Sequence, residues 1–425
     1  MRKSFFIGFL FCAFVLQGQS IGKRRIQKQL TKIEAFQQAQ VALYVAPLSA
    51  NKPIAQWNSN RYMTPASNTK LLTFLAAQQQ FDSLPSLFYH QQGDSLIQFK
   101  SSGYPLLFHP FYPDQALDAF FQQPVRWVYW APQEPPHPLG PGWSWDDYSY
   151  YFAAEKNSFP IFGNSLQATF QEGHLKTNTD AFEFIATQDS EAPKLKRNRF
   201  KNTFTYNPRA WKENDTLYRP FLTSDSLFAT LLSQAIQKPI ALKRPVKDTL
   251  LWQPLYTHHE KQLYQGLLQD SDNGIAEALL LMIAEQYNGQ METQTAIDSL
   301  LTQWAHWLPD PIAWEDGSGV SRYNMITPRT LGAVLQKIHQ RVGWKAIQTL
   351  FPKGGFSGTL KNYPVPDLYA KTGTLRHNHN LSGYLLNKHG EPFVFVVMIN
   401  HYTAPTAEVK QGITDLLLWI QQKLK

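Results

Sequence analysis

Apolar positions along the chain fall into short runs separated by polar, turn-rich stretches, and the strand-like runs gather near the two ends. Ile26 to Gln40 has a polar-faced helical pattern, and Val41 to Ala46 is an apolar strand. Ser49-Ala50-Asn51-Lys52 supplies a turn into a second strand near Pro53 to Trp57. After the Thr64-Pro65-Ala66 turn, Leu71 to Ala77 is an apolar helical run, which places Ser67 at a helix N-terminus. Near the other end, Leu368 to Thr374 predicts a short strand. Leu381 to Leu386 and Pro392 to Ile399 predict a hairpin around His389-Gly390. Thr406 to Leu424 is an amphipathic helix, with Leu416, Leu417, Leu418 and Ile420 on or near its buried face. Strands from both ends with helices beside them predict an α/β (α+β) chain whose central antiparallel sheet is covered by helices.

The middle of the chain changes this picture. Between Lys70 and Ser271 lie about 200 residues rich in proline, aromatics and turn residues, too many for a structureless loop in a compact domain. They are expected to fold as a large, mostly β insertion. The expected organisation is an N-terminal segment 1–20, a first catalytic part 21–81, an insertion 82–253 and a second catalytic part 254–425.

Length and composition fit a folded protein with a sizeable core: 425 residues, 43% hydrophobic and 17% charged. Arg2 and Lys3, the apolar run Phe5 to Leu16 and the small residues up to Ser20 form a secretory signal pattern. A retained membrane anchor is the alternative. Cys12, the single cysteine, lies inside that run after Phe11, which argues against lipidation. A mature chain without cysteine excludes disulfides and thiolate metal sites. Export without disulfides points to a periplasmic location. The formal charge of +8 draws the protein towards anionic polymers such as cell wall, or equally reflects a solvated basic surface. Peripheral association with membrane or wall stays open, as does the oligomeric state. The densest basic cluster, Lys194, Lys196, Arg197, Arg199 and Lys201, reads as a loop, and no nucleic-acid partner is expected.

Candidate chemistry lies in three ordered segments: Ser67-Asn68-Thr69-Lys70, Ser271-Asp272-Asn273 and Lys371-Thr372-Gly373. They have the S-x-x-K, S-x-N and K-T-G form of penicillin-recognising serine enzymes. S-x-x-K also occurs at Ser20-Lys23 and Ser49-Lys52, in the cleavage region and a turn; only Ser67 opens an apolar helix. Lys70 then stands one turn on, on the same face. A desolvated lysine beside a serine can lose its proton and serve as base. Taken singly, the pair also reads as a helix-cap serine with a surface lysine. Ser271 can pass a proton to a leaving group, and Asn273 can hold a substrate amide. On its strand, Lys371 with Thr372 suits a substrate carboxylate, and Gly373 leaves room for ligand backbone. No zincin motif accompanies His258-His259, His377 or His379, so neither metal nor cofactor is expected. Gly317-Ser318-Gly319 reads as a flexible turn.

Further segments extend the pattern: Gly142-Trp143-Ser144-Trp145-Asp146-Asp147, Asp316-Gly317-Ser318-Gly319-Val320-Ser321-Arg322, and Lys371-Thr372-Gly373-Thr374-Leu375 followed by Asn380-Leu381-Ser382-Gly383-Tyr384. In these the chain resembles the class C low-molecular-mass penicillin-binding proteins, the DacB-type D-alanyl-D-alanine carboxypeptidases/endopeptidases of serine peptidase family S13. The resemblance implies a β-lactamase/transpeptidase-like domain interrupted by its insertion, acting on peptidoglycan stem peptides and binding β-lactams. It also implies roles: Ser67 as nucleophile, Lys70 as base, and Ser271 and Asn273 as the second wall. Lys371 and Thr372 would bind the carboxylate side, with Gly373 and Thr374 beside the substrate. The backbone N–H groups of Ser67 and Thr374 would form the oxyanion hole. Gly103-Tyr104-Pro105 stands where the family often has Gly-Asp-Pro, which removes a candidate partner for a substrate amine. Arg376-His377-Asn378-His379 is also unusual. A serine β-lactamase-like hydrolase and a catalytically silent cell-wall-binding homologue are the alternatives.

Overall fold

The computed structural model describes residues 20–50, 52–244 and 249–424. The expected signal segment with Cys12, and Asn51 of the expected turn, lie outside the described residues.

One five-stranded antiparallel sheet brings the two ends of the chain together. Its strand order is Leu368–Leu375, Asn378–Leu386, Pro392–Asn400, Gln40–Pro47 and Ala55–Trp57. The inner strands read as continuous apolar runs because both of their faces are covered. Side-chain alternation divides them: Tyr44, Ala46, Val394, Val396 and Met398 face one layer, while Leu43, Val45, Phe395, Val397 and Ile399 face the other. The first layer holds the helices Lys70–Gln80, Asn273–Asn288 and Pro328–Leu350. The second holds Lys23–Leu30 and the C-terminal helix Thr406–Gln421. Burying each large apolar side chain gains about 1.5–3 kcal/mol, and a one-residue slip would exchange the two faces, so this double burial fixes the register.

The first helix is shorter than its periodicity suggests. It ends at Leu30, and a separate 3₁₀ turn covers Glu34–Phe36. Ile33 between them is extended, at φ −92° and ψ 103°. That bend lays Ile33 and Phe36 over Gly412 of the C-terminal helix, so closely that a Cβ there would lie 2.6 Å from Ile33 and 2.9 Å from Phe36. Close packing between chain ends overrides the helical spacing. Helices of the first layer start on side-chain caps: Asp272 accepts from the Ile275 N–H at 2.9 Å, and Thr327 from that of Thr330 ahead of Pro328.

The long middle stretch builds three further sheets. A mixed five-stranded sheet has the order Ile240–Lys243, Arg126–Trp130, Leu96–Lys100, Leu87–Gln92 and Gln253–Leu255. One three-stranded sheet joins Thr216–Pro220, Ser165–Gln171 and His174–Thr177, and another Glu183–Ala186, Thr203–Tyr206 and Leu195–Arg197. The basic cluster is therefore not all loop. Alternation along Leu195–Arg197 turns Lys196 outward and buries Arg197, whose guanidinium donates to the carbonyls of Pro220, Asn198 and Arg199. No helix among the described residues is long and apolar enough to cross a membrane.

Candidate active site

Ser67 lies in a 3₁₀ turn, Ala66–Thr69, that runs straight into the helix Lys70–Gln80. The turn is held from the sheet side by asparagines. Asn380 donates to the carbonyls of Thr64 and Pro65, both at 2.9 Å, and Asn400 accepts from the Thr64 N–H at 2.8 Å. Asn68 donates to Ser382 Oγ at 2.7 Å. Asn380 and Asn400 are buried within their strands, where the cost of taking a polar group from water is offset by such bonds. Ala66 adopts a left-handed φ of 49°. The nucleophile candidate is thus clamped by groups that the S-x-x-K spacing does not contain.

Lys70 is fully buried, and its Nζ has three neighbours: Ser67 Oγ at 3.2 Å, Asn273 Oδ1 at 2.6 Å and the Ser318 carbonyl at 2.7 Å. Asn273 in turn donates its Nδ2 to the Phe152 carbonyl at 2.6 Å, which fixes which end of the amide faces the lysine. The Asn273 oxygen and the Ser318 carbonyl only accept. In a neutral amine they take both N–H bonds, so the remaining lone pair faces the Ser67 hydroxyl. Burial pushes the Lys70 ammonium down to about 8, opposed by the nearby carboxylates of Asp316, Asp272 and Glu277. A neutral base aimed at a hydroxyl is what proton removal requires.

The Ser318 carbonyl belongs to a loop that is rigid, contrary to the flexible turn expected from its glycines. Asp316, Ser318 and Ser321 are fully buried. The Asp316 carboxylate accepts from the N–H of Gly319 at 2.9 Å and of Ser321 at 2.6 Å, from Asn324 Nδ2 at 2.7 Å and from Trp143 Nε1 at 2.9 Å. One peptide unit, 318–319, therefore spans the Asp316 carboxylate and the Lys70 amine. The glycines serve close approach: a Cβ on Gly319 (φ 82°) would lie 2.0 Å from the Ala66 carbonyl oxygen, and one on Gly317 would lie 2.4 Å from that of Ala276. Glu277 is buried behind the loop, accepts from the Ser318 N–H at 2.8 Å, and is pushed up by burial and by Asp316.

Ser271 stands between a π-helical turn, Gly266–Asp270, and the helix starting at Asn273, in a left-handed conformation (φ 63°). Its Oγ accepts from Lys371 Nζ at 2.7 Å, and Lys371 also donates to the Thr372 carbonyl at 2.8 Å. Burial, then the neighbouring charge of Lys70, pushes the Lys371 ammonium well down. The expected strand carrying Lys371, Thr372, Gly373 and Thr374 forms, and it lies at an edge of the sheet. Gly373 has a different role from the one expected. A Cβ there would meet the Pro65 carbonyl oxygen at 2.4 Å and the N atoms of Asn68 and Ser67 at 2.9 and 3.1 Å. Its missing side chain admits the protein's own Ser67 turn, not ligand backbone. Thr372 bonds Thr359 Oγ1 at 2.9 Å, and Thr374 is exposed.

The structure thus brings all eight predicted positions to one place: Ser67, Lys70, Ser271, Asn273, Lys371, Thr372, Gly373 and Thr374. Asp316, Ser318 and Asn380 fall in segments that carry the family resemblance but have no role in that reading, while Asn400 and the Phe152 carbonyl lie outside every motif; a single asparagine closing the apolar strand Pro392–Asn400 was the available signal for Asn400. Tyr104 is buried, and its hydroxyl donates to Asp114 Oδ2 at 2.9 Å, so it is a core residue. His377 and His379 diverge, towards the Tyr402 carbonyl and Thr374 Oγ1 respectively. No group of three His, Cys, Asp or Glu side chains among the described residues is disposed to hold a metal ion.

The family model described as the D-Ala-D-Ala carboxypeptidase 3 (S13) family matches residues 23–87 and 134–422. The chain is 27% identical over 315 residues to the D-alanyl-D-alanine carboxypeptidase DacB of Haemophilus influenzae. That match spans 64% of this chain and 64% of the relative, less than two thirds of its length. The crystal structure of penicillin binding protein 4 (dacB) from Haemophilus influenzae superposes with a TM-score of 0.72 at 22% identity, covering 94% of this chain and 99% of that one. The same protein complexed with a β-lactam superposes with a TM-score of 0.70 at 19% identity, covering 94% and 98%.

Proposed function

The chain belongs to the D-Ala-D-Ala carboxypeptidase 3 (S13) family, and from that premise we propose that it is a serine-type D-alanyl-D-alanine carboxypeptidase/endopeptidase. It acts on peptidoglycan stem peptides through an acyl-enzyme on Ser67 and is acylated by β-lactams. The observation that carries this reading is the buried Lys70 Nζ, 3.2 Å from Ser67 Oγ and bonded besides to two acceptor-only partners, Asn273 Oδ1 and the Ser318 carbonyl. In the first step neutral Lys70 takes the hydroxyl proton while Ser67 Oγ attacks the carbonyl of the scissile amide. The developing oxyanion is received by the backbone N–H groups of Ser67 and Thr374. The proton held by Lys70 passes through the Ser271 hydroxyl, which Lys371 hydrogen-bonds at 2.7 Å, to the departing amine. Lys70 is neutral again to take a proton from the incoming water and hand it back to Ser67 Oγ. Water then attacks the ester and releases the shortened peptide. We assign 21–81 and the chain from about residue 256 to the catalytic part, because both chain ends share one sheet, and the stretch between to the insertion, whose expected end at 253 moves past the strand Gln253–Leu255 that pairs with Leu87–Gln92. The N-terminal charge and apolar pattern support export to the periplasm.

Intact-protein mass spectrometry after incubation with penicillin tests this reading. The parent gains one penicillin mass that releases slowly, and Ser67→Ala gains none. A parent without adduct overturns the acyl-enzyme; an adduct on Ser67→Ala overturns the choice of nucleophile; rapid turnover favours a β-lactamase.

A further inference from the structure

Behind the exposed Thr374 at the end of the K-T-G strand lie two buried polar side chains, His379 and Tyr363, that the chemistry above does not use. His379 pairs across the sheet with Thr374, and its Nδ1 lies 2.7 Å from Thr374 Oγ1. Its Nε2 is hydrogen-bonded to the Tyr363 hydroxyl, with the two rings 2° from coplanar. Both rings are 1% exposed.

Counting donors fixes the direction of these hydrogen bonds. Among the described residues, His379 Nε2 is the one acceptor bonded to the Tyr363 hydroxyl. A buried phenol proton needs an acceptor, so Tyr363 donates to Nε2. The single proton of a neutral imidazole then sits on Nδ1 and is donated to Thr374 Oγ1. Burial holds His379 neutral, pushed down to about 3, and holds Tyr363 as the phenol. With its oxygen occupied as an acceptor, the Thr374 hydroxyl keeps its own proton free for the cleft. Thr372, two residues away on the same face of the edge strand, gives its own proton to Thr359 Oγ1 at 2.9 Å, which leaves the Thr374 hydroxyl to meet a carboxylate on that face.

We propose that Tyr363 and His379 are positioning residues that hold the Thr374 hydroxyl as a donor for the terminal carboxylate of the acyl donor. The opposite tautomer would present an oxygen lone pair and repel that carboxylate. The inference rests on the acyl-enzyme reading given above.

The test compares acylation rate constants for penicillin and for its methyl ester, read by intact mass. In His379→Phe the preference for the free acid falls on the order of tenfold while the ester rate holds. His379→Asn, which restores a donor near Nδ1, recovers most of the preference. Thr374→Val loses as much, and the double variant Thr374→Val/His379→Phe loses no more. Tyr363→Phe gives the same loss and carries the test if His379→Phe does not fold. Equal slowing of acid and ester, no recovery in His379→Asn, or additive losses overturn the inference. A parent that reacts with neither compound overturns the acyl-enzyme reading as well, whereas a reactive parent with unchanged preference in the variants overturns this inference alone.

Discussion

Replacing Asp316 with asparagine separates a charge effect from a packing effect at the catalytic lysine. The amide keeps the shape of the carboxylate but turns one acceptor oxygen into a donor. If Oδ1 is replaced, the N–H of Gly319 and Asn324 Nδ2 lose their acceptor; if Oδ2, Trp143 Nε1 and the Ser321 N–H lose theirs. Each orphaned buried donor costs about 1–3 kcal/mol, so two cost about 2–6 kcal/mol. Against a total stability of about 5–15 kcal/mol, the variant folds but melts earlier. The charge effect has a definite sign. Asp316 is the largest of the three carboxylate attractions that oppose the burial of the Lys70 ammonium. Without it the folded lysine loses its proton more readily, and its pKa falls below about 8. Acylation by a fluorescent penicillin should therefore rise with pH along a limb near 8 in the parent, and along one displaced to lower pH in Asp316→Asn. The profile is measured from about pH 5.5 to 9.5, below the melting temperature of the variant. A limb that stays in place, or moves to higher pH, refutes the electrostatic link through peptide 318–319, even if the maximal rate drops.

Two other outcomes follow from packing and burial. Gly373→Ala places a methyl group 2.4 Å from the Pro65 carbonyl oxygen, so the Ser67 turn must shift away from the strand, and acylation falls on the order of 10²-fold; an unchanged rate in a folded variant contradicts the close-approach reading. Asp118 has its carboxyl pushed up from 3.8 to about 6, mainly by burial. Between those values the native state keeps a proton that the unfolded chain has lost, so stability falls as pH rises through this window. Asp118→Asn, which can still accept from the Phe108 N–H, raises the melting temperature at pH 7.5, with a gain that shrinks as pH falls from about 6 towards 4. A gain independent of pH would show that the carboxyl charge is not its source.

The sequence by itself determined what local pattern can encode. Apolar runs at both ends specified the inner strands, because strands covered on both faces must be apolar throughout. The opening of an apolar helix singled out Ser67 among three S-x-x-K matches, and the order of the motifs named Lys70, Ser271, Asn273 and Lys371. Only the tertiary structure decided how these groups are held. Lys70 and the Ser318 carbonyl are 248 positions apart, and Asn380 reaches the Pro65 carbonyl across 315. Spacing along the chain carries no signal for such pairs. Gly317 and Gly319 looked like flexible punctuation and proved to be points where backbones touch. Gly373 seemed to make room for ligand and instead admits the nucleophile's own turn. A glycine's φ freedom and its lack of a side chain look alike in sequence; which one is used depends on what packs against it, and that is settled only when distant segments meet.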